Sequence, residues 1–267
     1  MHTNPFLVVA NWKMNPLTIR EAERLIRNFE AGIEKIGKND FLKKVELVIC
    51  PPFPYLGRIN KSKFFRLGSQ NIHFEPRGAF TGEVSIRMVE DAGAKFTIIG
   101  HSERRINFGE TDTQVNLKLK AALQSSLCPI ICVGESFEER KNGETTQVIA
   151  KQIKKALEKV SILSLPRIVV AYEPIWAIST SKNASCEVDN ANDIMGIMIL
   201  IKKIISEIYQ KDVASRVRII YGGSVNPGNV SDLLEINSLS GVLVGGASLS
   251  AFDFLPILKK AYEREVK

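Results

Sequence analysis

Histidine, cysteine and long apolar runs are all scarce in this chain, and each scarcity removes a class of function. His2, His73 and His101 are the only histidines among 267 residues, too few and too scattered for an imidazole metal site. The four cysteines, Cys50, Cys128, Cys132 and Cys186, show no paired metal-ligand spacing, and the first three lie in or beside apolar strand-like runs. Buried free thiols and no metal are therefore expected. No apolar run approaches bilayer-spanning length, and the first ten residues lack a charged leader, an apolar stretch and a small-residue cleavage site, so a soluble, cytoplasmic protein without a membrane partner is expected. Low-complexity segments and near-identical repeats are also missing.

What is present is an ordinary globular composition, 45% hydrophobic and 24% charged. A chain of this length can bury a full core, and one domain over residues 1–267 is expected. Its 36 Lys and Arg against 29 Asp and Glu leave +7, a mild positive field suited to an anionic ligand. Nucleic acid is the competing partner. The basic residues, however, are dispersed along helical faces with Asp and Glu interleaved at 21–44 and 138–159, rather than set in a stripe with aromatic platforms, so no nucleic-acid partner is expected.

Short apolar runs at 6–10, 45–50, 66–69, 96–99, 129–133, 168–171, 218–221 and 241–244 predict eight strands. Amphipathic stretches predict helices at 19–36, behind a Thr18-x-x-Glu21 capping box, and at 115–123, 146–160, 189–209 and 229–234. The helices after the second and third strands are the weakest in pattern. Strict alternation without a polar linker implies parallel pairing through right-handed crossovers, and eight units imply closure into a (β/α)8 barrel. The stretch 70–82 holds Pro76, Gly78 and Gly82 without a helical period, and so long a loop in a compact domain serves function or a partner.

The chemistry-bearing residues cluster where the predicted strands end. Glu173 follows the apolar run Ile168-Val169-Val170-Ala171, at the carboxyl end where α/β folds build their sites. Pro174 stiffens the exit, and Trp176 and Ile178 give the next loop apolar mass to close over a ligand. Read alone, Glu173 fits equally a carboxylate capping a surface loop. Asn11 and Lys13, two apart after the first strand, share one face in extended backbone and send Trp12 to the other. His101 precedes a short helical turn that the Ser102 hydroxyl or the Glu103 carboxylate could cap, and the positive end of that turn favours a neutral imidazole that donates a hydrogen bond. Two glycine-rich turns, Tyr221-Gly222-Gly223-Ser224 and Gly245-Gly246-Ala247-Ser248, follow the seventh and eighth strands, where barrels commonly hold a phosphate on backbone N–H groups.

Six collinear motifs, Asn11-Trp12-Lys13-Met14-Asn15, Gly78-Ala79-Phe80-Thr81-Gly82-Glu83, Gly100-His101-Ser102-Glu103-Arg104-Arg105, Ala171-Tyr172-Glu173-Pro174-Ile175-Trp176-Ala177-Ile178, Tyr221-Gly222-Gly223-Ser224-Val225 and Leu243-Val244-Gly245-Gly246-Ala247-Ser248-Leu249, resemble the triosephosphate isomerase family from one end of the chain to the other. The resemblance implies a TIM barrel that interconverts dihydroxyacetone phosphate and D-glyceraldehyde 3-phosphate in glycolysis and gluconeogenesis, without a cofactor. It implies Glu173 as the base, His101 as the neutral electrophile, and Lys13 and Asn11 as oxyanion stabilisers, with Glu103 paired to Lys13 and Ser102 and Tyr221 in support. The backbone N–H groups of Ser179, Ser224, Gly245 and Gly246 would hold the phosphate, and Cys132 matches a buried cysteine near the base. It further implies a homodimer in which the loop after the third strand, carrying Thr81, inserts beside the partner's site. The chain departs from the family at Ser179 and Ser181, where glycine is usual, at Cys186, where proline is common, and across 72–77. Two other readings stay open at this stage: a Schiff-base aldolase using Lys13, and a non-catalytic phosphate-sugar binder or adhesion protein on the same scaffold.

Overall fold

A computed structural model describes residues 4–37, 40–59, 62–177 and 191–264. Eight parallel strands, β1 (Phe6–Asn11), β2 (Val45–Cys50), β3 (Arg66–Ser69), β4 (Ala94–Ile99), β5 (Cys128–Val133), β6 (Val169–Tyr172), β7 (Arg218–Tyr221) and β8 (Gly241–Val244), pair in sequence order. Closure is made by β8 returning to β1 in the register Leu7↔Gly241 to Ala10↔Val244. The chain is a (β/α)8 TIM barrel. Every predicted strand is present, four of them with the expected bounds; β1, β4 and β5 differ by one or two residues at one end, and β6 lies one residue later than expected.

Two-residue periodicity divides each strand between two cores. Leu7, Val9, Val48, Ile98, Ile130, Ala171 and Leu243 fill the barrel interior, while Val8, Leu47, Ile99, Ile131, Val170 and Val242 face outward into the packing of the helices. Both faces are therefore buried, which is why the strands read as unbroken apolar runs rather than alternating ones.

The helix Ile19–Gly37 starts where the capping box predicts: Glu21 N–H donates to the Thr18 hydroxyl at 3.3 Å and Thr18 N–H to the Glu21 carboxylate at 3.3 Å. Its buried stripe Ala22, Leu25, Ile26, Phe29 and Ile33 faces the barrel. The remaining predicted helices appear as Asp112–Leu123, Thr145–Ala156, Ala191–Ile208 and Val230–Leu234; the expected start of the fourth, at 189, lies outside the described residues. After β2 and β3 the described residues form only the helices Phe53–Leu56 and Ile86–Asp91, too short to show a period. One long helix, Ala251–Arg264, is not predicted at all. Pro256 near its start obscures a stripe of Phe254, Ile257, Leu258 and Ala261 that packs against the helix Ile19–Gly37, with Phe29 and Phe254 rings 5.0 Å apart. Among the described residues no helix is long and apolar enough to cross a membrane.

Candidate active site

Glu173 follows β6 and is 1% exposed, a carboxylate that the fold has taken almost completely out of water. Its backbone is clamped between strands, since Glu173 N–H donates to the Val133 carbonyl at 2.8 Å and a Cβ on Gly134 would lie 1.9 Å from the Glu173 carbonyl oxygen. Burying a carboxylate demands hydrogen bonds. One comes from Ser102 N–H, which donates to Oε2 at 3.1 Å at the start of the helix Ser102–Phe108. The other oxygen, Oε1, has no hydrogen bond among the described residues and stands 3.4 Å from His101 Nε2. Cys132 packs against this carboxylate, and burial, reinforced by the Glu173 charge, drives its thiol well above the usual range. An unreactive packing role follows.

His101 caps the helix Ser102–Phe108 itself: its ring Nδ1 accepts from Glu103 N–H at 3.2 Å. The expectation that Ser102 or Glu103 supplies the cap is thereby corrected, because the helix begins at Ser102 and leaves His101 in the N-cap position, from which a side chain meets the first free backbone donors. An Nδ1 that accepts a hydrogen bond carries no proton, so the proton sits on Nε2 and faces Glu173. Gly100, with φ of +73°, makes the turn into His101, and its N–H donates to Glu110 Oε1 at 3.1 Å.

Lys13 does not continue the extended backbone expected of it. Its φ is +53°, the left-handed region, which costs a non-glycine residue about 1 kcal/mol or more. Three contacts hold it there. Lys13 N–H donates to Asn11 Oδ1 at 3.1 Å, the Gln70 side-chain amide donates to the Lys13 carbonyl at 2.8 Å, and Nζ pairs with Glu103 at 2.8 Å. Trp12 is wholly buried on the far side, as predicted. Lys13 and His101, together with Gly222, Gly223, Ser224, Gly245 and Gly246, line one cleft of about 170 Å³.

Gly222 and Gly223 are required by what lies beneath them, whereas a Cβ on Gly246 would meet nothing within 4 Å. A Cβ on Gly223 would come within 2.2 Å of the Tyr221 hydroxyl, so Tyr221 forms the floor of this turn. Gly245 gives way to the short helix Gly246–Leu249, and Ser248 N–H and hydroxyl both donate to the Gly245 carbonyl. Ser224 lines the cleft, but its N–H donates to the Ala177 carbonyl at 3.1 Å. Ser179, Ser181 and Cys186 lie outside the described residues. Thr81 is exposed near the tip of the loop after β3 and far along the chain from the cleft residues.

Several residues that the sequence reading did not single out support this arrangement. Glu135, wholly buried after β5, accepts from the Tyr172 hydroxyl and from Trp176 Nε1, both at 3.1 Å. Burial raises its carboxyl above the usual range. It thus anchors the short turn Ile175–Ala177 that leads out of the Glu173 strand. Lys118, also buried, reaches Asn71 Oδ1 at 2.7 Å and Glu110 at 3.1 Å, and desolvation lowers its ammonium below the usual range. Gln70 is the most informative omission, since it ties the loop after β3 to both Lys13 and the Cys50 carbonyl. A glutamine directly after a predicted strand was the only available signal.

The carboxyl end of the barrel therefore sets a desolvated carboxylate beside a cleft lined by an imidazole N–H donor, an ammonium group and glycine-rich turns open to an anion. Such a set removes a proton from carbon beside a carbonyl and stabilises the resulting oxyanion. The triosephosphate isomerase family model matches residues 6–261. The triosephosphate isomerase of Dictyoglomus thermophilum is 44% identical over 256 residues, covering 95% of this chain and 98% of that protein. That of Endomicrobium trichonymphae is 43% identical over 256 residues, covering 95% and 97%. The crystal structure of triosephosphate isomerase from Bartonella henselae superposes with a TM-score of 0.80 at 35% identity, covering 95% of this chain and 97% of that one.

Proposed function

The chain belongs to the triosephosphate isomerase family, and from that premise we propose that Glu173, His101, Lys13 and Asn11 carry its interconversion of dihydroxyacetone phosphate and D-glyceraldehyde 3-phosphate. The single observation that carries the assignment is the pairing of Glu173 with His101, a desolvated carboxylate oxygen 3.4 Å from an imidazole nitrogen at one end of the barrel. Glu173 withdraws a proton from the carbon beside the substrate carbonyl and returns it to the neighbouring carbon. To do so its Oε2 exchanges the Ser102 N–H for the substrate. His101 Nε2–H and the Lys13 ammonium meet the charge that develops on the enediolate oxygens, and Asn11 orders Lys13 through its backbone. The phosphate is held by backbone N–H groups of Gly245 and Gly246, joined by Ser179 and by Ser224 once its N–H leaves the Ala177 carbonyl. No cofactor takes part in this reading.

The whole chain acts as one catalytic domain in the cytoplasm, in glycolysis and gluconeogenesis, and as a homodimer. The loop 70–83 supports association: residues 75–83 are exposed on the single chain, and Met14 and Leu17, in the loop after β1, are 88% and 83% exposed. Apolar side chains left that open are expected to be covered. The aldolase reading is not favoured, because Lys13 sits in an ion pair rather than in the apolar or cationic setting an amine nucleophile needs. The non-catalytic reading is not favoured by a chain in which the acid–base pair is assembled.

Isomerisation in deuterium oxide tests the assignment. Glu173→Gln is expected to abolish both turnover and the incorporation of solvent deuterium beside the carbonyl, while circular dichroism stays that of the wild type. A Glu173→Gln protein that exchanges at the wild-type rate removes Glu173 from the role of base.

A further inference from the structure

Below the Glu173 end the interior of the barrel is apolar until its amino-terminal mouth. The inward parity of Val48, Ile130 and Ile220 also points Glu46, Cys128 and Arg218 into the barrel one step lower. There Arg218 pairs with one oxygen of Glu46, and Arg66, at the start of β3, reaches the other at 3.4 Å. One carboxylate thus answers two guanidinium groups. Lys63 stands at the rim of the same hollow, about 650 Å³ in volume, and is itself 3.5 Å from Glu34.

Cations at this end of a barrel have a ready explanation, because the helices deliver their carbonyl ends there. That explanation covers Arg167, which donates to the Leu123, Ser125 and Leu127 carbonyls, and Arg264, which donates to those of Ile236 and Leu239. It does not cover Arg66. Among the described residues its guanidinium has only the long contact with the shared Glu46, and its side chain is 61% exposed into the hollow.

We propose that this mouth is a second anion site, which takes a small phosphate-bearing molecule on the guanidinium donors of Arg66 and Arg218 that the Glu46 carboxylate leaves open, with Lys63 at its edge. Two planar forks suit the oxygens of a phosphate, which accept pairs of parallel N–H bonds. The hollow is of the size that small-molecule ligands occupy. Arg218 at the floor is 14% exposed and so weakly screened, whereas Arg66 and Lys63 at the entrance are largely exposed and held by contacts of 3.4 and 3.5 Å that a ligand can draw them from.

Inorganic pyrophosphate is the probe. Titration calorimetry on the full chain is expected to give two classes of site, one of which matches the constant for inhibition of isomerisation and therefore belongs to the catalytic cleft. Arg66→Gln, at an exposed position that leaves the fold intact, is expected to weaken the other class by about tenfold or more, the loss of one charge-assisted hydrogen bond. The kcat, KM and inhibition constant should not change, and Arg66→Lys should bind between the two. A single class equal to the inhibition constant, or an Arg66→Gln isotherm that overlays the wild type, overturns the proposal.

Discussion

Replacing Gly222 with alanine places one methyl group against the proposed base. An ideal Cβ at this position lies 2.8 Å from Glu173 Cγ, whereas ordinary contact begins at 3.4 Å. The glutamate chain must therefore retreat by at least ~0.6 Å, because close-packed carbon atoms cannot share that space. It has little freedom to do so elsewhere. Its carboxylate is held by Ser102 N–H, its backbone by Val133 and the closely approaching Gly134, and the side chain is almost fully buried. The displacement falls on the distance between carboxylate and substrate carbon, and a 1 Å misplacement costs up to about 10²-fold, so a loss of kcat near tenfold is expected, about 1.4 kcal/mol of barrier. KM should move by less than about threefold, since uniform binding is untouched. The substitution leaves the backbone donors in place, because Gly222 N–H already donates to the Tyr172 carbonyl at 2.8 Å. Steady-state kinetics in both directions, with a thermal melt to show that the fold survives, check the expectation. A Gly222→Ala enzyme with kcat within about twofold of the wild type would refute the reasoning, because it would mean that the carboxylate position seen here does not set the rate.

Three further outcomes are expected. His101→Gln keeps a donor for the carbonyl oxygen but cannot exchange a proton as imidazole does, so kcat should fall by about 10² or more while substrate-analogue binding persists; a full-rate enzyme leaves the electrophile without support. Thr81→Arg puts a charge into the proposed interface at a cost of several kcal/mol, and sedimentation should show wild-type dimers and mutant monomers with reduced activity; an active wild-type monomer contradicts the association. Cys50 and Cys132 are buried, and burial pushes both thiols well above the usual range, so the thiolate needed for alkylation is withheld at mildly alkaline pH. Peptide mapping after iodoacetamide should find both unlabelled in the folded protein and labelled once it is unfolded, and rapid labelling without unfolding contradicts the burial argument.

Much of the architecture was legible in residues that are neighbours in the chain. The run Val45–Cys50 reads as a strand because every second side chain enters one of two cores, and both cores are apolar. Thr18 and Glu21 mark a helix start because a capping box closes within four residues. Glu173 is a site candidate from sequence because it ends an apolar strand where α/β folds build their sites, a position it shares with Asn11, Lys13 and His101, and the glycine turns after β7 and β8 advertise close backbone approach. Where the local pattern was broken or too short, legibility failed: Pro256 hid the helix Ala251–Arg264, and Phe53–Leu56 spans a single turn.

The protonation geometry and the positions of the reacting groups were decided by closure of the barrel. The left-handed turn at Lys13 is stabilised by Gln70, which is 57 residues away. The proton on His101 is placed by a cap that exists only because the helix Ser102–Phe108 begins there, and the Glu173 carboxylate is aimed by a backbone N–H 71 residues distant. Ser224, chosen from sequence for its N–H, spends that donor on Ala177. Periodicity is a property of consecutive residues and survives in the one-dimensional chain. A hydrogen bond to a partner on another strand depends on which ends the closed sheet brings together, and within a buried cleft each such bond determines where a proton or a charge can rest.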